Sequence, residues 1–355
     1  MTLDYNSTVD KIQSVLKEKT KRYAFKKLER EVIKTGACVE CGSCVEACPV
    51  DAISGNRVEN QYVPTLTGDC NSCGICYAMC PRAFAIQDTL IGNVKSAWKV
   101  RSLGDHHRQD GGAVTAFLEY MLDKKMIEAA VVACQTPDIP WLPEAKRVTS
   151  KEQLYDCGGT IYTHAPVVSE MIKGFKEGLS KQAIVGMACN IDAIERMESH
   201  VAGFFSVNTA ASVFKISLFC MESFDYSSLS KFLKDDGIKI QDVKHVAIIA
   251  GQFIVSLESG DKSWPIKELD PAASSSCAYC QDFTGISSDL SCGNIGSDEG
   301  WTTVLVRTAT GEKVLKGALK AGIIEAEELE PKAVRIVANS ARFKKNKFYK
   351  LAAPH

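Results

Sequence analysis

One cysteine motif occurs twice in the N-terminal part of the chain and constrains its fold more than any other feature. The two copies share the pattern Cys-x2-Cys-x2-Cys-x3-Cys-Pro and comprise Cys38, Cys41, Cys44, Cys48 and Pro49, then Cys70, Cys73, Cys76, Cys80 and Pro81. Paired CxxC sequences also bind zinc. A third thiolate at the same spacing and a terminal Cys-Pro instead favour the two 4Fe–4S clusters of a bacterial-type ferredoxin.

The spacing also predicts which cysteines share a cluster. Three thiolates two residues apart wrap one face of a cubane cluster, and the fourth reaches across to the other cluster. One cluster should therefore be bound by Cys38, Cys41, Cys44 and Cys80. The other should be bound by Cys70, Cys73, Cys76 and Cys48. The connection 53–69 is longer than a minimal ferredoxin needs, and we expect it to be an ordered excursion.

Composition restricts the class of protein. The chain has 355 residues, enough for about two domains. Its 42 Lys and Arg residues nearly balance 43 Asp and Glu residues, which argues against a nucleic-acid partner. We expect no transmembrane segment, because no apolar run approaches about 20 residues. Met1–Asn6 is not an apolar signal segment, so fifteen cysteines indicate metal or redox chemistry rather than disulfides.

The pattern of apolar residues divides the chain into three parts. Residues 1–35 contain a basic amphipathic helix over 8–33, residues 36–92 form the ferredoxin domain, and residues 93–355 form an α/β (α+β) domain. In the last part, the expected strands are 128–134, 182–186, 214–219, 243–250 and 302–308. The expected helices are 112–125, 166–180, 190–199, 226–236 and 310–322. A turn at Gly251 between two apolar runs favours an antiparallel pair over 243–259.

A second set of cysteines lies in the α/β domain. Cys189 and Cys220 each end an apolar strand, and sites in α/β sheets form at such strand ends. Cys277-x2-Cys280 supplies two further thiolates, which completes a set of four. The alternative is that the strand-end cysteines are small buried hydrophobic residues. Three others are expected to be packing residues: Cys134, Cys157 and Cys292.

The sequence around these cysteines resembles the beta subunits of coenzyme F-420 hydrogenases and dehydrogenases, which form one family. The resemblance extends from about residue 95 to 322 and rests on the segments 109–115, 159–163, 185–189, 218–224, 277–284 and 289–301. With a two-cluster ferredoxin in front, the chain resembles the input subunit of archaeal F-420H2 dehydrogenases. It departs from the family at Ala188, where Pro is usual, and at Ile161, where Lys is usual.

This resemblance implies an iron–sulfur flavoprotein with bound FAD, coenzyme F-420 as substrate and three 4Fe–4S clusters. The third cluster would be bound by Cys189, Cys220, Cys277 and Cys280. The implied flavin contacts are Gln109, Asp110, Gly111, Gly112, Val114, Thr115, Thr160, Tyr162, Thr163, Asp289, Ser291, Gly293, Gly296 and Trp301. Paired glycines let a backbone approach a cofactor closely, and N–H groups at a helix start suit a pyrophosphate.

The implied activity is the reversible oxidation of F-420H2, in which the cofactors carry the chemistry. A hydride would pass from C5 of the deazaflavin to N5 of FAD, and single electrons would then leave through the clusters. The implied partner is an electron-accepting complex, such as a membrane dehydrogenase or a heterodisulfide reductase. The expected location is the cytoplasm, including the periphery of a membrane complex.

Two other functions stay open. A ferredoxin-dependent flavin reductase of an organic substrate shares the fold, and a non-catalytic electron-wiring subunit would carry clusters without flavin. Basic residues near both chain ends could dock an anionic partner or could be a solvated charged surface. They are Lys17, Lys19, Lys21, Arg22, Lys26, Lys27, Arg342, Lys344, Lys345, Lys347 and Lys350.

Overall fold

A computed structural model describes residues 10, 24–58, 61–83, 90–104, 109–136, 138–249 and 251–348. Contacts divide the chain into two compact units. The first comprises Met1–Leu90 with Arg342–His355, and the second comprises Ile91–Ala341. The sequence analysis assigned the C-terminal residues 342–355 to the α/β domain, whereas the contacts group them with the first unit.

The described part of the N-terminal helix packs on the cysteine-rich segment. Helix α1 (Phe25–Leu28) continues into a π-helical turn, Glu29–Ile33. Its buried side chains Phe25 and Leu28 belong to the same apolar cluster as Cys76 and Tyr77. The Tyr77 hydroxyl donates a hydrogen bond of 2.5 Å to a Glu31 carboxylate oxygen. The remainder of the predicted helix over 8–33, apart from residue 10, lies outside the described residues.

The two cysteine repeats share one backbone conformation. Helix α2 (Ser43–Glu46) follows Gly42, and helix α3 (Ile75–Ala78) follows Gly74. Both glycines are left-handed, with φ of 74° and 84°. Glu40 and Ser72, two residues earlier in each copy, are left-handed as well, with φ of 58° and 59°. The sequence repeat is therefore also a structural repeat.

The connection between the repeats is a β-hairpin. Strands β1 (Ile53–Val58) and β2 (Gln61–Leu66) pair antiparallel. The Tyr62 ring occupies the space that a side chain at Gly55 would need. The Tyr62 N–H donates a 2.8 Å hydrogen bond to the Glu40 carboxylate, which ties the hairpin to the first cysteine repeat. The hairpin confirms the prediction of an ordered excursion.

Within the described residues, the second unit is built on a mixed sheet of eight strands in the order β13-β3-β12-β11-β7-β6-β4-β5. Its strands are β3 (Ser96–Ser102), β4 (Ala129–Gln135), β5 (Pro143–Val148), β6 (Lys181–Met187), β7 (Ser212–Leu218), β11 (Leu290–Gly293), β12 (Thr302–Val306) and β13 (Ile324–Glu328). Strands β4, β6, β7 and β11 are parallel, whereas the other neighbours pair antiparallel.

Helices cover both faces of this sheet. They are α4 (Ala113–Asp123), α5 (Lys151–Tyr155), α6 (Val167–Lys176), α7 (Ala188–Ser199), α8 (Phe204–Val207), α9 (Tyr226–Asp235), α10 (Ala309–Lys320) and α11 (Pro331–Phe348). One apolar cluster joins Phe117 of α4 and Leu315 of α10 to the sheet. A separate cluster on α6 and α7 includes Met171 and Ile191. No helix in the described ranges is both long and apolar enough to cross a membrane.

A smaller antiparallel sheet lies beside the large one in the second unit. It consists of β8 (His245–Ile249), β9 (Gln252–Leu257) and β10 (Gly260–Pro265). Gly251, with φ of 78°, connects β8 to β9 and confirms the predicted turn. Phe253 of this sheet packs edge-to-face on Phe224 with ring centroids 5.6 Å apart.

The predicted strands and helices of the α/β domain are confirmed, with small shifts at their ends. The sequence analysis missed β3, β5, β10, β11 and β13 and helices α5, α8 and α11. Because α11 reaches Phe348, most of the basic C-terminal segment is helical. Lys344 is buried on this helix, so it does not contribute to an exposed docking face as the sequence suggested. Lys17, Lys19, Lys21, Arg22 and Lys350 lie outside the described residues.

Cys134 and Cys157 form a disulfide, which corrects the expectation that both are packing residues. Cys134 lies on β4, and Cys157 follows helix α5. Their Cα atoms are 4.5 Å apart, within the range that a disulfide needs. Cys292 is buried on β11 outside any disulfide, as expected of a packing residue.

Candidate functional site

Cysteines of the two repeats are neighbours in the first unit. Burial, together with the nearby thiols of Cys80, Cys38 and Cys41, raises the pKa of Cys44 to about 11. The pKa of Cys73 is raised by burial and then by neighbours that include Cys48. Cys80 thus lies near the first three cysteines and Cys48 near the second three, as a crossed pair of clusters requires.

The chemistry of these cysteines fits iron–sulfur clusters. Crowded, buried thiols such as Cys76, whose pKa burial raises to about 12, release protons when iron binds. The Ala52 N–H donates a 3.3 Å hydrogen bond to Cys48 Sγ, and such bonds to sulfur tune cluster potentials. In the described ranges, no three Cys, His, Asp or Glu side chains are grouped for a single metal ion. A cubane cluster does not need such a grouping around one ion, because each thiolate binds its own iron.

The register of the large sheet places Cys189 and Cys220 at the same edge. Met187 of β6 pairs with Leu218 of the parallel strand β7. Each cysteine lies two residues beyond this pair, towards the carboxyl ends of the strands. Cys189 lies in the first turn of α7 rather than at a strand end.

The loop that carries Cys277 and Cys280 reaches this same edge. The Ser223 N–H donates a 3.3 Å hydrogen bond to Cys277 Sγ, three residues after Cys220. The Cys220 N–H donates a 2.9 Å bond to the Phe283 carbonyl, three residues after Cys280. All four cysteines predicted for the third cluster therefore share one end of the sheet.

Asp282, which the sequence analysis did not single out, organises this loop. One carboxylate oxygen accepts the N–H groups of Thr284 and Gly285, each at 2.9 Å. The other accepts the Ile286 N–H at 2.7 Å. The sequence signal is an Asp three residues before a Gly, a pattern typical of Asp-stabilised turns. Because the Phe283 carbonyl accepts the hydrogen bond from the Cys220 N–H, this turn links Cys280 to Cys220.

The segment 109–115 forms a tight turn into helix α4. Asp110 and Gly112 are left-handed, with φ of 46° and 67°. The Gly111 N–H donates a 3.2 Å bond to Thr302 Oγ1, and its carbonyl accepts the Ser102 N–H at 2.7 Å. Asp110 is exposed as a whole residue, yet partial burial of its carboxyl group removes water from it and raises its pKa.

Two features of this turn fit a bound cofactor. Among the residues that the structure describes, the buried Gln109 Oε1 has no hydrogen-bond partner, and a buried acceptor of this kind needs a donor. Helix α4 begins without a side-chain cap and without an acidic residue in its first turn. Its first N–H groups are thus available to an anion. Val114 and Thr115, in this first turn, are half-buried.

The segment 160–163 is hydrogen-bonded to the region of the cysteines predicted for the third cluster. The Tyr162 carbonyl accepts a 2.9 Å hydrogen bond from Ser223 Oγ, and the Ser223 N–H in turn contacts Cys277 Sγ. Thr163 is buried, and its hydroxyl donates to the Trp141 carbonyl at 3.2 Å. Thr160 is half-buried. Hydrogen bonds through one serine therefore connect a predicted flavin segment to a predicted cluster ligand.

Ile161, at the position where the family usually has Lys, lines an apolar cavity. Trp141, Val246 and Phe253 also line this cavity. An isoleucine fits such a lining, whereas an unpaired lysine ammonium would be costly there. Burial raises the pKa of the neighbouring Tyr162 to about 12.

Two polar residues of the segment 289–301, Asp289 and Ser291, form hydrogen bonds within the second unit. Asp289 accepts hydrogen bonds from the Lys215 N–H at 2.8 Å and the Thr308 hydroxyl at 2.5 Å. Ser291 accepts a 2.7 Å bond from the buried Arg307 side chain. Both residues, which were predicted to contact the flavin, are therefore engaged in hydrogen bonds within the protein.

The other predicted residues of this segment have different surroundings. Gly293 leaves space for the Phe219 ring, and Gly296, with φ of 99°, lies against helix α11. The Trp301 ring has two cations near its face: Lys99 Nζ at 4.8 Å and Arg101 Cζ at 4.7 Å from its centroid.

Comparisons with known families agree with this arrangement. Residues 37–84 match a family described as a 4Fe-4S dicluster domain. Residues 96–171 and 179–332 match the N-terminal and C-terminal parts of the coenzyme F420 hydrogenase/dehydrogenase beta subunit. The matches confirm the resemblance found in the sequence.

Individual relatives show the same relationship. The coenzyme F420 hydrogenase beta subunit of Methanothermobacter thermautotrophicus is 34% identical over 62% of this chain and 79% of its own length. A subunit of the F(420)H(2) dehydrogenase of Methanosarcina mazei is 29% identical over 80% of this chain and 82% of its own. A chain of the F420-reducing [NiFe] hydrogenase complex from Methanosarcina barkeri is 28% identical, with a TM-score of 0.69 over 75% of this chain and 93% of that one. The chain belongs to the family of coenzyme F420 hydrogenase/dehydrogenase beta subunits and carries an N-terminal 4Fe-4S dicluster domain.

Proposed function

We propose that this protein is an F-420H2-oxidising, reversibly F-420-reducing, iron–sulfur flavoprotein that passes electrons to a partner complex. The observation that carries the proposal is the hydrogen-bonded connection from Tyr162 through Ser223 to Cys277. When bound, FAD supplies the change from two-electron hydride chemistry to one-electron transfer. Relatives named as F420 hydrogenase and F420H2 dehydrogenase subunits support the same activity.

The turn before α4 would hold the flavin nucleotide. Gly112 lets the backbone approach it closely, Gly111 gives the room in which Val100 and Thr302 pack against this turn, and the start of α4 offers N–H groups to its pyrophosphate. Gln109 would accept a hydrogen bond from it, because its buried oxygen has no donor in the described part of the chain. The remaining proposed contacts are Asp110, Val114, Thr115, Thr160, Tyr162, Thr163, Gly293, Gly296 and Trp301. Asp289 and Ser291 are left out because each side chain is buried and already has at least two hydrogen-bond partners within the protein.

Twelve cysteines would bind three 4Fe–4S clusters, so a fully loaded chain should contain about twelve iron atoms. The two ferredoxin clusters have the crossed ligand sets described above. Cys189, Cys220, Cys277 and Cys280 would bind the third cluster in the unit that also contains the flavin segments. This cluster is therefore placed first in the path from the flavin.

The relatives are named as subunits of hydrogenases and dehydrogenases, and we propose that this chain likewise works with an electron-accepting complex. The cytoplasm, or the cytoplasmic periphery of a membrane complex, is the proposed location. A ferredoxin-driven flavin reductase of an organic substrate is the alternative activity. In that case electrons would run inward through the same clusters, and reduced deazaflavin would not reduce the flavin.

Replacement of one third-cluster ligand tests the proposal. In Cys277→Ser, F-420H2 should still reduce FAD, but the ferredoxin clusters should stay oxidised because the first cluster in the path is missing. Rapid mixing under anaerobic conditions separates the flavin and cluster absorbance changes. Cys292→Ser is the matched control, because Cys292 is buried and assigned to no cluster. Unchanged reduction of the ferredoxin clusters in Cys277→Ser would contradict the proposed path.

A further inference from the structure

The two halves of the ferredoxin segment differ in exposure although their backbones repeat. In the second half, Cys73 and Cys76 are each only 7% exposed. Cys76 and Tyr77 lie in an apolar cluster with Phe25, Leu28 and Val32. Cys41 of the first half and Cys70 of the second half are both exposed, but Cys38 and Cys44 are half-buried, whereas Cys73 and Cys76 are buried. The cluster bound by Cys38, Cys41, Cys44 and Cys80 is therefore the more accessible of the two.

Apolar side chains rim this more accessible cluster. Val39, between Cys38 and Cys41, is 47% exposed, and Met79, which precedes Cys80, is 44% exposed. Cys80 and Cys38 are neighbours, so the two side chains lie at the rim of one cluster. The equivalent positions of the other half carry the polar Asn71 and the small Ala47. At these two positions the apolar side chains are specific to one half of the repeat, and in the described part of the chain the exposed Val50 beside Cys48 is the single large apolar residue at the corresponding place near the other cluster.

The charges around this rim are acidic. Glu40 and Glu46 are exposed, and residues 36–50 contain no lysine or arginine. Arg82, beyond Cys80, is half-buried and already interacts within the protein. An exposed apolar centre with a charged rim is typical of a protein-binding surface. Electrostatic complementarity then favours a partner with basic residues around an apolar centre.

We propose that Val39, Met79, Glu40 and Glu46 form the electron-exit face of the protein, and that it docks a redox protein with an apolar, basic-rimmed surface. This inference rests on the proposed function only in that the ferredoxin clusters carry electrons. Each transfer removes one electron from a reduced cluster and adds it to the partner's centre, with no bond made or broken. Because electron tunnelling weakens steeply with distance, the accessible cluster is the efficient donor.

The test uses the full chain with its clusters loaded, reduced by dithionite so that the outcome does not depend on F-420, and then separated anaerobically from excess dithionite so that the reduced clusters are the only electron donor. Cytochrome c, a small basic haem protein, is the probe, and stopped-flow absorbance follows haem reduction at low ionic strength. The double variant Val39→Lys/Met79→Lys should slow haem reduction at least about fivefold, because two cations replace the apolar contacts and repel the probe. Iron content and the cluster spectra should stay as in the wild-type protein.

Two control variants show whether the slower haem reduction is specific to the proposed exit face. Val58→Lys changes an exposed valine on β1 away from the cysteines, and Val50→Lys changes one beside Cys48 of the other cluster. Both should reduce cytochrome c close to the wild-type rate. The affinity of the oxidised proteins for cytochrome c, measured by surface plasmon resonance, should fall only in Val39→Lys/Met79→Lys. Equal rates and affinities in all three variants, or a loss confined to Val50→Lys, would overturn the proposed exit face. Failure of F-420H2 to reduce the wild-type protein would instead count only against the proposed activity.

Discussion

Asp282 shows how one side chain can position a metal site without binding the metal. Its carboxylate accepts three backbone N–H groups and thereby fixes the turn after Cys280. The same turn presents the Phe283 carbonyl to the Cys220 N–H. Charge-assisted hydrogen bonds of this kind are roughly twice as strong as neutral ones. Asp282 is therefore a positioning residue for the proposed third cluster.

Removal of this carboxylate should cost the third cluster and leave the ferredoxin clusters in place. In Asp282→Ala, anaerobically loaded protein should contain about eight iron atoms instead of about twelve. Asp282→Asn should give an intermediate content, since an amide oxygen can still accept two of the three N–H groups. Iron analysis with electron paramagnetic resonance measures both effects. Asp298→Ala, at an exposed position, is the control. Full iron content in Asp282→Ala would show that the turn does not depend on its carboxylate.

Single residues differ in how far the sequence can assign them. The cysteine spacing is a local property, so the sequence predicts the ferredoxin ligands directly. Ser223 was missed because its partners, Tyr162 and Cys277, are more than fifty residues away in the chain. Asp289 looks like a cofactor ligand in sequence, but its backbone and hydroxyl partners become adjacent only in the folded sheet.

At the scale of elements, strand β13 was missed because its local sequence contradicts its conformation. Residues 324–328 read Ile-Glu-Ala-Glu-Glu, and glutamate is depleted in strands. The strand forms because β3 pairs with it and presents basic side chains. Lys99 lies 2.9 Å from Glu327, and Arg101 donates a 2.7 Å hydrogen bond to Glu325. A pairing across more than two hundred residues leaves no local signal. Strand β4, with its apolar run Ala129–Cys134, was predicted correctly, and so was β7, in which apolar residues alternate with polar ones.

The disulfide between Cys134 and Cys157 ties the end of β4 to the segment that leads to Thr160. It closes a loop with a sequence separation of 23 residues, which should stabilise the fold by about 3 kcal/mol. Dithiothreitol should therefore lower the thermal midpoint of the wild-type protein by several degrees. The double variant Cys134→Ser/Cys157→Ser should unfold at this lower midpoint with or without the reductant. Circular dichroism gives both midpoints, and a wild-type midpoint insensitive to the reductant would show that the bond contributes nothing.

At the scale of the whole molecule, the sequence predicts the kinds of domain better than their limits. The repeat identifies the ferredoxin segment, and alternating apolar runs identify the α/β domain. The sequence analysis placed the C-terminal residues with the α/β domain, whereas the contacts group Arg342–His355 with the first unit. Helix α11 carries Arg342–Phe348 of these residues, and its polar sequence contains no signal for this grouping.

The proposed activity requires the two units to work as one electron path. Reduced deazaflavin is the only donor that must be supplied, and the flavin, the third cluster and the ferredoxin clusters should then be reduced in that order. A chain that only relays electrons would carry clusters but bind no flavin. A flavin reductase driven by ferredoxin would bind flavin but would not be reduced by the deazaflavin.

Anaerobic titration of the FAD- and iron-loaded wild-type protein with F-420H2 tests this central claim most directly. The account predicts that each equivalent of F-420H2 is oxidised while the flavin and cluster absorbance bleach, until all centres are reduced. F-420H2 that remains unoxidised beside fully loaded flavin and clusters would contradict the account.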